Sequence, residues 1–366
     1  MKCLDCIQIY IFIKFKEENM KFIKVLLLSS AMSLGFGAFT SANAECGKVE
    51  IANMSWTSAA VLAEFDALVL KEGFGCDTEV VAGDTMPTST SMVEKLQPDI
   101  ASEMWTNGLG SFWEDGLAEG RVKTGGLSMS GGGEGFFIPT AMIDANPELA
   151  TIEGVLANPQ LFPHPEGKDV GAFYGCPAGW NCQITSTNVF NAFGFGEAGF
   201  EIIDPGSGAA LGASAAGAHD KGQGWVGYYW GPTALLGLRD FTKVSVGADE
   251  GWSADKWKCV TEEPNMDKTG ADACARTYYA NATIEVAYTS DFEARAPKKV
   301  MDYLNNRTFS DKEIGMLLDI VAQEAYSPQD AAIYMVLEKQ DLWSKMVCGG
   351  TFTDCPEKQA IIAAVQ

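Results

Sequence analysis

Lys48-Val49-Glu50-Ile51-Ala52-Asn53-Met54 opens the stretch, ending at Trp105, whose reading decides the fold. This first run reads as a β-strand. From Ser58 to Gly73 the apolar residues Val61, Leu62, Phe65, Leu68 and Val69 recur at helical spacing, with Ser58 as N-cap and Gly73 as the stop. Asp77–Ala82 then reads as a second strand, Thr88–Gln97 as a second helix and Asp99–Trp105 as a third strand. The order βαβαβ is the opening of a doubly wound α/β lobe with a mostly parallel sheet and flanking helices. A chain of 366 residues has room for two such lobes, each with its own core.

Upstream of this stretch the chain does not read as fold. From Met20, two lysines (Lys21, Lys24) precede an apolar run between Val25 and Phe39, and Ala42-Asn43-Ala44 supplies a small-x-small cleavage site. Residues 20–44 therefore read as a secretory signal peptide and residues 1–19 as an upstream extension. A membrane anchor fits less well, because the run falls short of the ~20 residues a span needs and is interrupted by Ser29, Ser30, Ser33 and Gly35. Glu45 before Cys46 argues against a lipoprotein. The expected product is a soluble periplasmic protein and a monomer.

Charge and cysteine usage agree with export. Cleavage removes five lysines and three acids from 26 basic and 48 acidic residues, leaving 21 and 45 and a net charge of −24. Such a surface repels nucleic acid and anionic lipid. Eight cysteines remain: Cys46, Cys76, Cys176, Cys182, Cys259, Cys274, Cys348 and Cys355. An even number in an oxidising compartment favours disulfides, and nearest-neighbour pairing is the simplest of about 105 connectivities. Their spacings do not suit zinc. With only His164 and His219 available, Ser-His-Asp or Cys-His catalysis has little to draw on. No spacing singles out a carboxylate pair, so no cofactor and no enzyme is expected, an exported carboxylate-based hydrolase being the distant alternative.

Several segments carry the candidate binding chemistry. Trp56 falls just past the first strand and Trp105 ends the third, at the carboxyl edge where open α/β sheets bind small molecules. Ser130-Gly131-Gly132-Gly133-Glu134-Gly135 leads into Phe136-Phe137-Ile138, which reads as a crossing between lobes with a carboxylate on a flexible glycine run. Gly175-Cys176-Pro177-Ala178-Gly179-Trp180-Asn181-Cys182 is a loop that a 176–182 disulfide would cinch. Trp225 begins a strand that ends in Tyr228-Tyr229-Trp230-Gly231-Pro232. The Gly-rich run Asp204–Leu211 suggests a dinucleotide fingerprint but has Leu211 where the third glycine belongs. Asn265–Asp272 hints at a calcium loop without its closing Glu.

Met104-Trp105-Thr106, the Cys-closed tryptophan loop and Tyr228–Pro232 together resemble the substrate-binding proteins of glycine betaine/proline-type osmoprotectant ABC importers. The resemblance covers the mature chain. It implies a two-lobed periplasmic-binding-protein fold with a two-crossing hinge, residues 45–138 plus 285–366 forming one lobe and residues 139–284 the other. It also implies a membrane permease as partner, Trp105, Trp180 and Trp230 as a cage for a quaternary ammonium, and the amides of Asn181 and Cys182 as binders of an anionic ligand tail. Glu134 makes the chain most similar to the trimethylamine N-oxide-binding branch, with Glu134 and Trp180 on the N-oxide oxygen and Trp56, Trp105, Trp230 and Trp225 around the methyl groups. Glycine betaine and choline are the alternative ligands. That branch is associated with a structural calcium near the hinge, whose ligands the sequence does not mark.

Overall fold

A computed structural model describes residues 46–246 and 252–366. The expected signal peptide and upstream extension, residues 1–44, lie outside the described residues. The first strand, β1, spans Lys48–Met54, the bounds expected from sequence, and alternates exposed and buried side chains until its buried end. β2 (Asp77–Gly83) and β3 (Ile100–Trp105) follow, and both pair with β1 in parallel. All six residues of β3 are buried, as a central strand covered on both faces requires. The intervening helices run Thr57–Leu68, continued by wider turns to Gly73, and Thr85–Lys95.

The remaining strands are β4 (Val122–Ser130), β5 (Gly133–Pro139), β6 (Gly171–Tyr174), β7 (Phe200–Ile203), β8 (Gly227–Gly231), β9 (Phe241–Lys243), β10 (Ile284–Thr289) and β11 (Phe309–Ser310). They form two sheets, ordered β11-β4-β10-β3-β1-β2 and β7-β6-β8-β5-β9. Both sheets are mostly parallel, as expected, and each carries one reversed strand. β10 runs antiparallel to β3 and β4, and β5 antiparallel to β8 and β9. The reason is connectivity: the chain leaves the first sheet after β4, enters the second at β5 and returns through β10, so the strands at the crossings run against their neighbours. Gly131 has φ +93°, in the left-handed region that favours glycine, and a side chain on Gly132 would come within 2.5 Å of Ile284. The glycine run is therefore a tight crossing, and Glu134 beyond it belongs to strand β5, in register with Trp230 of β8, not to a flexible loop.

Ser58 is not the helix cap that its position suggests. Trp56 occupies the N-cap without a side-chain bond, and the Ser58 hydroxyl donates to Glu103 instead. The four disulfides follow nearest-neighbour pairing, Cys46–Cys76, Cys176–Cys182, Cys259–Cys274 and Cys348–Cys355. Among the described residues no helix is long and apolar enough to cross a membrane. No described group of three or more His, Cys, Asp or Glu could hold a metal ion, so the calcium expectation finds no support, at Asn265–Asp272 or elsewhere.

Beneath the first sheet lies a buried ion pair. Asp66, on the helix Thr57–Leu68, forms an ion pair with Arg307, Nε lying 3.1 Å from Oδ1, and accepts a hydrogen bond from the Tyr303 hydroxyl at 2.6 Å; both members of the pair are fully buried. Arg307 also donates to the Ser102 carbonyl of β3 and the Ser128 hydroxyl of β4. Burial pushes the Asp66 carboxyl up, against the pull of Arg307 and Tyr303. Removing one partner strands a charge in the core. Arg307→Met is expected to cost about 3–5 kcal/mol in urea unfolding, and Asp66→Asn combined with Arg307→Met to recover part of that loss.

Candidate functional site

The two sheets present carboxyl ends to one another. Ser55 and Trp56 follow β1, Asp84 follows β2 and Trp105 closes β3. From the other sheet, Trp180 lies on the loop after β6 and Trp230 near the end of β8. Trp56, Trp105, Glu134, Trp180, Asn181, Cys182 and Trp230 line one cavity. Thr85 and Tyr228 complete its lining, and all nine residues are buried. Trp180 meets Trp56 and Trp230 edge-on, each at a centroid separation of 5.1 Å. Tyr228 and Tyr229 stack against Trp230 at 6.2 and 4.8 Å. The rings leave a volume of about 20 Å³ between them. That is roughly room for one water, so a larger guest requires them to part. On the far side of Trp56 and Trp230 lies a cleft of about 270 Å³, bordered by Thr57, Gly208, Tyr229 and Leu318.

Trp225 is not part of this assembly. Its ring stacks on Tyr174 at 5.6 Å, meets Phe241 edge-on, and its N–H donates to Ser214. It lies before β8 begins, buried in the packing of the second sheet, while Trp56 and Trp105 join the cage from the first sheet.

Three of the four cage rings are fixed by where their N–H goes. Glu103 Oε1 accepts from Trp56 Nε1 at 2.6 Å, from Trp105 Nε1 at 3.0 Å and from the Ser58 hydroxyl at 3.1 Å. Trp180 Nε1 donates across the cleft to Ser55 Oγ and Asp84 Oδ1, each at 2.9 Å. Two further bonds join the same edges: Asn181 Nδ2 to the Trp105 carbonyl at 3.1 Å and the Met86 amide to the Gly179 carbonyl at 3.0 Å. Asn181 and Cys182 open the helix Asn181–Phe193, where the first amides have no intrahelical acceptor. Gly208, from the run that suggested a dinucleotide fingerprint, serves close packing: a side chain there would meet the Trp180 ring at 2.6 Å.

Glu134 supplies the polar wall. Its Oε1 accepts from the Tyr228 hydroxyl at 2.8 Å and its Oε2 from Asn107 Nδ2 at 3.5 Å. Burial raises the Glu134 carboxyl above its usual range, while Tyr228, Asn107 and the charge of Lys243 oppose that rise. Burial, reinforced by the neighbouring Glu134 charge, also holds the Tyr228 phenol well above its ordinary value, so it stays a donor. Asn107 is tied in turn to the Thr283 amide and to Trp257 Nε1.

Glu103, Tyr228, Asn107, Ser55 and Asp84 are site residues that sequence reading passed over. Two carried a signal. Glu103 stands two residues before Trp105, and Tyr228 two before Trp230, so strand alternation puts each on its tryptophan's face. Chemically, ring faces carry negative quadrupoles and the wall holds a carboxylate, an arrangement that suits a cationic, methylated head joined to a small polar group.

A family model described as the substrate binding domain of an ABC-type glycine betaine transport system matches residues 47–336. Among solved structures, an ABC-transporter choline-binding protein in complex with choline aligns with TM-score 0.64 and 18% identity, covering 88% of this chain and 99% of that one. A glycine betaine/L-proline-binding protein from Borrelia burgdorferi gives 0.63 and 15%, covering 86% and 99%. Lactococcal OpuAC, closed on glycine betaine, gives 0.59 and 14%, covering 82% and 99%. At these identities the likeness is one of fold. No curated protein matches the chain.

The Trp180 ring has no spare room against Gly208. Gly208→Ala is expected to force it off its acceptors, lowering the urea midpoint by an amount equivalent to about 1–3 kcal/mol and changing the near-ultraviolet circular dichroism of the tryptophans.

Proposed function

The chain belongs to the family of substrate-binding domains of ABC-type glycine betaine transport systems, and on that premise we propose that it captures trimethylamine N-oxide in its tryptophan cage and delivers it to a membrane permease. Its place of work is the periplasm and its working form a monomer. Residues 46–130 with 284–366 form one lobe and residues 133–283 the other; the first crossing falls at Gly131-Gly132 rather than at residue 138, because β5 pairs in the second sheet, and the lobes close by a hinge at the two crossings. Trp56, Trp105 and Trp230 surround the methyl groups and Glu134 takes the N-oxide oxygen; Trp180, expected on that oxygen, gives its N–H to Ser55 and Asp84 and so offers its ring to the methyl groups, while the amides of Asn181 and Cys182 would serve the carboxylate of a betaine.

A trimethylated nitrogen has no N–H to donate, so selection rests on shape and on ring faces. Desolvated cation–π contacts contribute about 2 kcal/mol each, giving roughly 6–8 kcal/mol gross from three or four rings before the cost of closure. A micromolar complex needs about −8 kcal/mol net, within reach once apolar burial is added.

The observation that carries the choice of ligand is Glu134, buried in the same cavity as the four indoles. An ionised carboxylate there repels the carboxylate of glycine betaine. The N-oxide oxygen has a basicity in the carboxylic-acid range, so it and Glu134 hold one proton between them in a charge-assisted hydrogen bond. Burial raises the Glu134 carboxyl, so it holds the shared proton more readily than a free acid would. Choline is the second reading, because its hydroxyl can donate to the same carboxylate, and for it the ionised form is the better partner.

Calorimetric titration with trimethylamine N-oxide, glycine betaine, choline and carnitine separates these ligands. The N-oxide is expected to bind tightest, and Glu134→Ala to weaken it at least about tenfold while affecting the others less. Tighter binding of glycine betaine overturns the choice of ligand and leaves the family intact. The pH dependence has opposite signs for the two readings. Above the raised pKa of Glu134 the N-oxide complex must take up a proton, so its affinity falls by about tenfold per pH unit. Choline affinity rises as the carboxylate ionises.

A further inference from the structure

Glu103 stands outside the binding roles assigned so far. It is buried beside the cage, and its Oε1 holds both indole N–H groups of the first sheet's two cage rings. Its Oε2 is buried without a partner. Burial raises the carboxyl, while the donors Trp105, Trp56 and Ser58 on Oε1 and the charge of Arg307 favour its ionised form. The nearby cation, Arg307, is already engaged with Asp66 in a fully buried pair. With both carboxylates ionised, the cluster Glu103, Asp66 and Arg307 carries one uncompensated negative charge. That charge lies directly behind Trp56 and Trp105.

We infer that Glu103 is the counter-charge of the cage: through the two indole N–H groups it polarises the rings and offsets the positive nitrogen of the bound solute, making it a positioning residue that sets the preference for cations. The inference rests on the proposed capture of a trimethylammonium-type head. An indole whose N–H is given to a carboxylate gains electron density, and its face attracts a cation more strongly. The field of the buried carboxylate acts in the same direction, in a region where solvent screens it little. A purely structural Glu103 would orient the rings for any guest of the right shape.

Carbon isosteres separate the two roles, since they keep the shape and drop the charge. The probes are choline with 3,3-dimethylbutan-1-ol, and trimethylamine N-oxide with tert-butanol, titrated by tryptophan fluorescence. The wild-type protein is expected to prefer the charged member of a pair. Glu103→Gln, which keeps an oxygen acceptor for the indoles, is expected to narrow that preference about tenfold. Glu103→Asp, which keeps the charge, weakens both members while retaining the preference. An unchanged preference in a folded Glu103→Gln overturns the counter-charge role and leaves the capture of a cationic solute standing. No preference in the wild type overturns that capture, and this inference with it. Should Glu103→Gln not fold, Trp56→Phe and Trp230→Phe decide. Both replace an indole with a phenyl ring, but only Trp56 gives its N–H to Glu103, so a larger loss of preference in Trp56→Phe supports the role and equal losses overturn it.

Discussion

An indole N–H can only donate, and inside a protein it must find an acceptor. That constraint shapes the centre of this molecule. Trp56 and Trp105 share Glu103, Trp180 reaches Ser55 and Asp84, and Trp257 takes the Asn107 carbonyl. Once those acceptors are chosen, each ring has one orientation. Because the acceptors of Trp180 follow β1 and β2 while Trp180 itself follows β6, the same bonds that orient a ring also hold the two sheet edges together. The cage and the contact between the two sheet edges thus share their hydrogen bonds.

Buried charge is the second organising theme. Asp66 and Arg307 neutralise one another beneath the first sheet and bind helix, β3 and β4 into one unit. Glu103 and Glu134 approach the cage from opposite sheets, the first behind the rings and the second in the wall. Burial raises both carboxyls, and each is countered by donors: two indoles and a serine for Glu103, a tyrosine and an asparagine for Glu134. Two acids converge on one aromatic cavity, with Lys243 acting on Glu134 and Arg307 on Glu103.

Small residues let the large ones meet. Gly208 exists for the Trp180 ring, Gly132 for Ile284 and the nearby Trp105, and Gly108 leaves room for Asn181. The two glycine-rich runs invite readings as a nucleotide loop and as a flexible linker. In the structure they are sites of close approach, one at a helix start beside the cage and one at a chain crossing.

The sequence by itself determined the βαβαβ opening, with β1 placed to the residue, because alternation and helical spacing are local patterns that a strand or helix displays along its own length. It also marked Trp105, Trp180 and Trp230 through their motifs, and the disulfide partners through their proximity in the chain. Only the tertiary structure decided which acids and which tryptophans meet. Trp225 stays out of the cage, Ser58 leaves its capping position for Glu103, and β5 and β10 each run against the otherwise parallel strands of their sheet. These outcomes depend on pairings across dozens to hundreds of residues. A hydrogen-bond donor in one strand carries no local trace of the distant acceptor that will satisfy it.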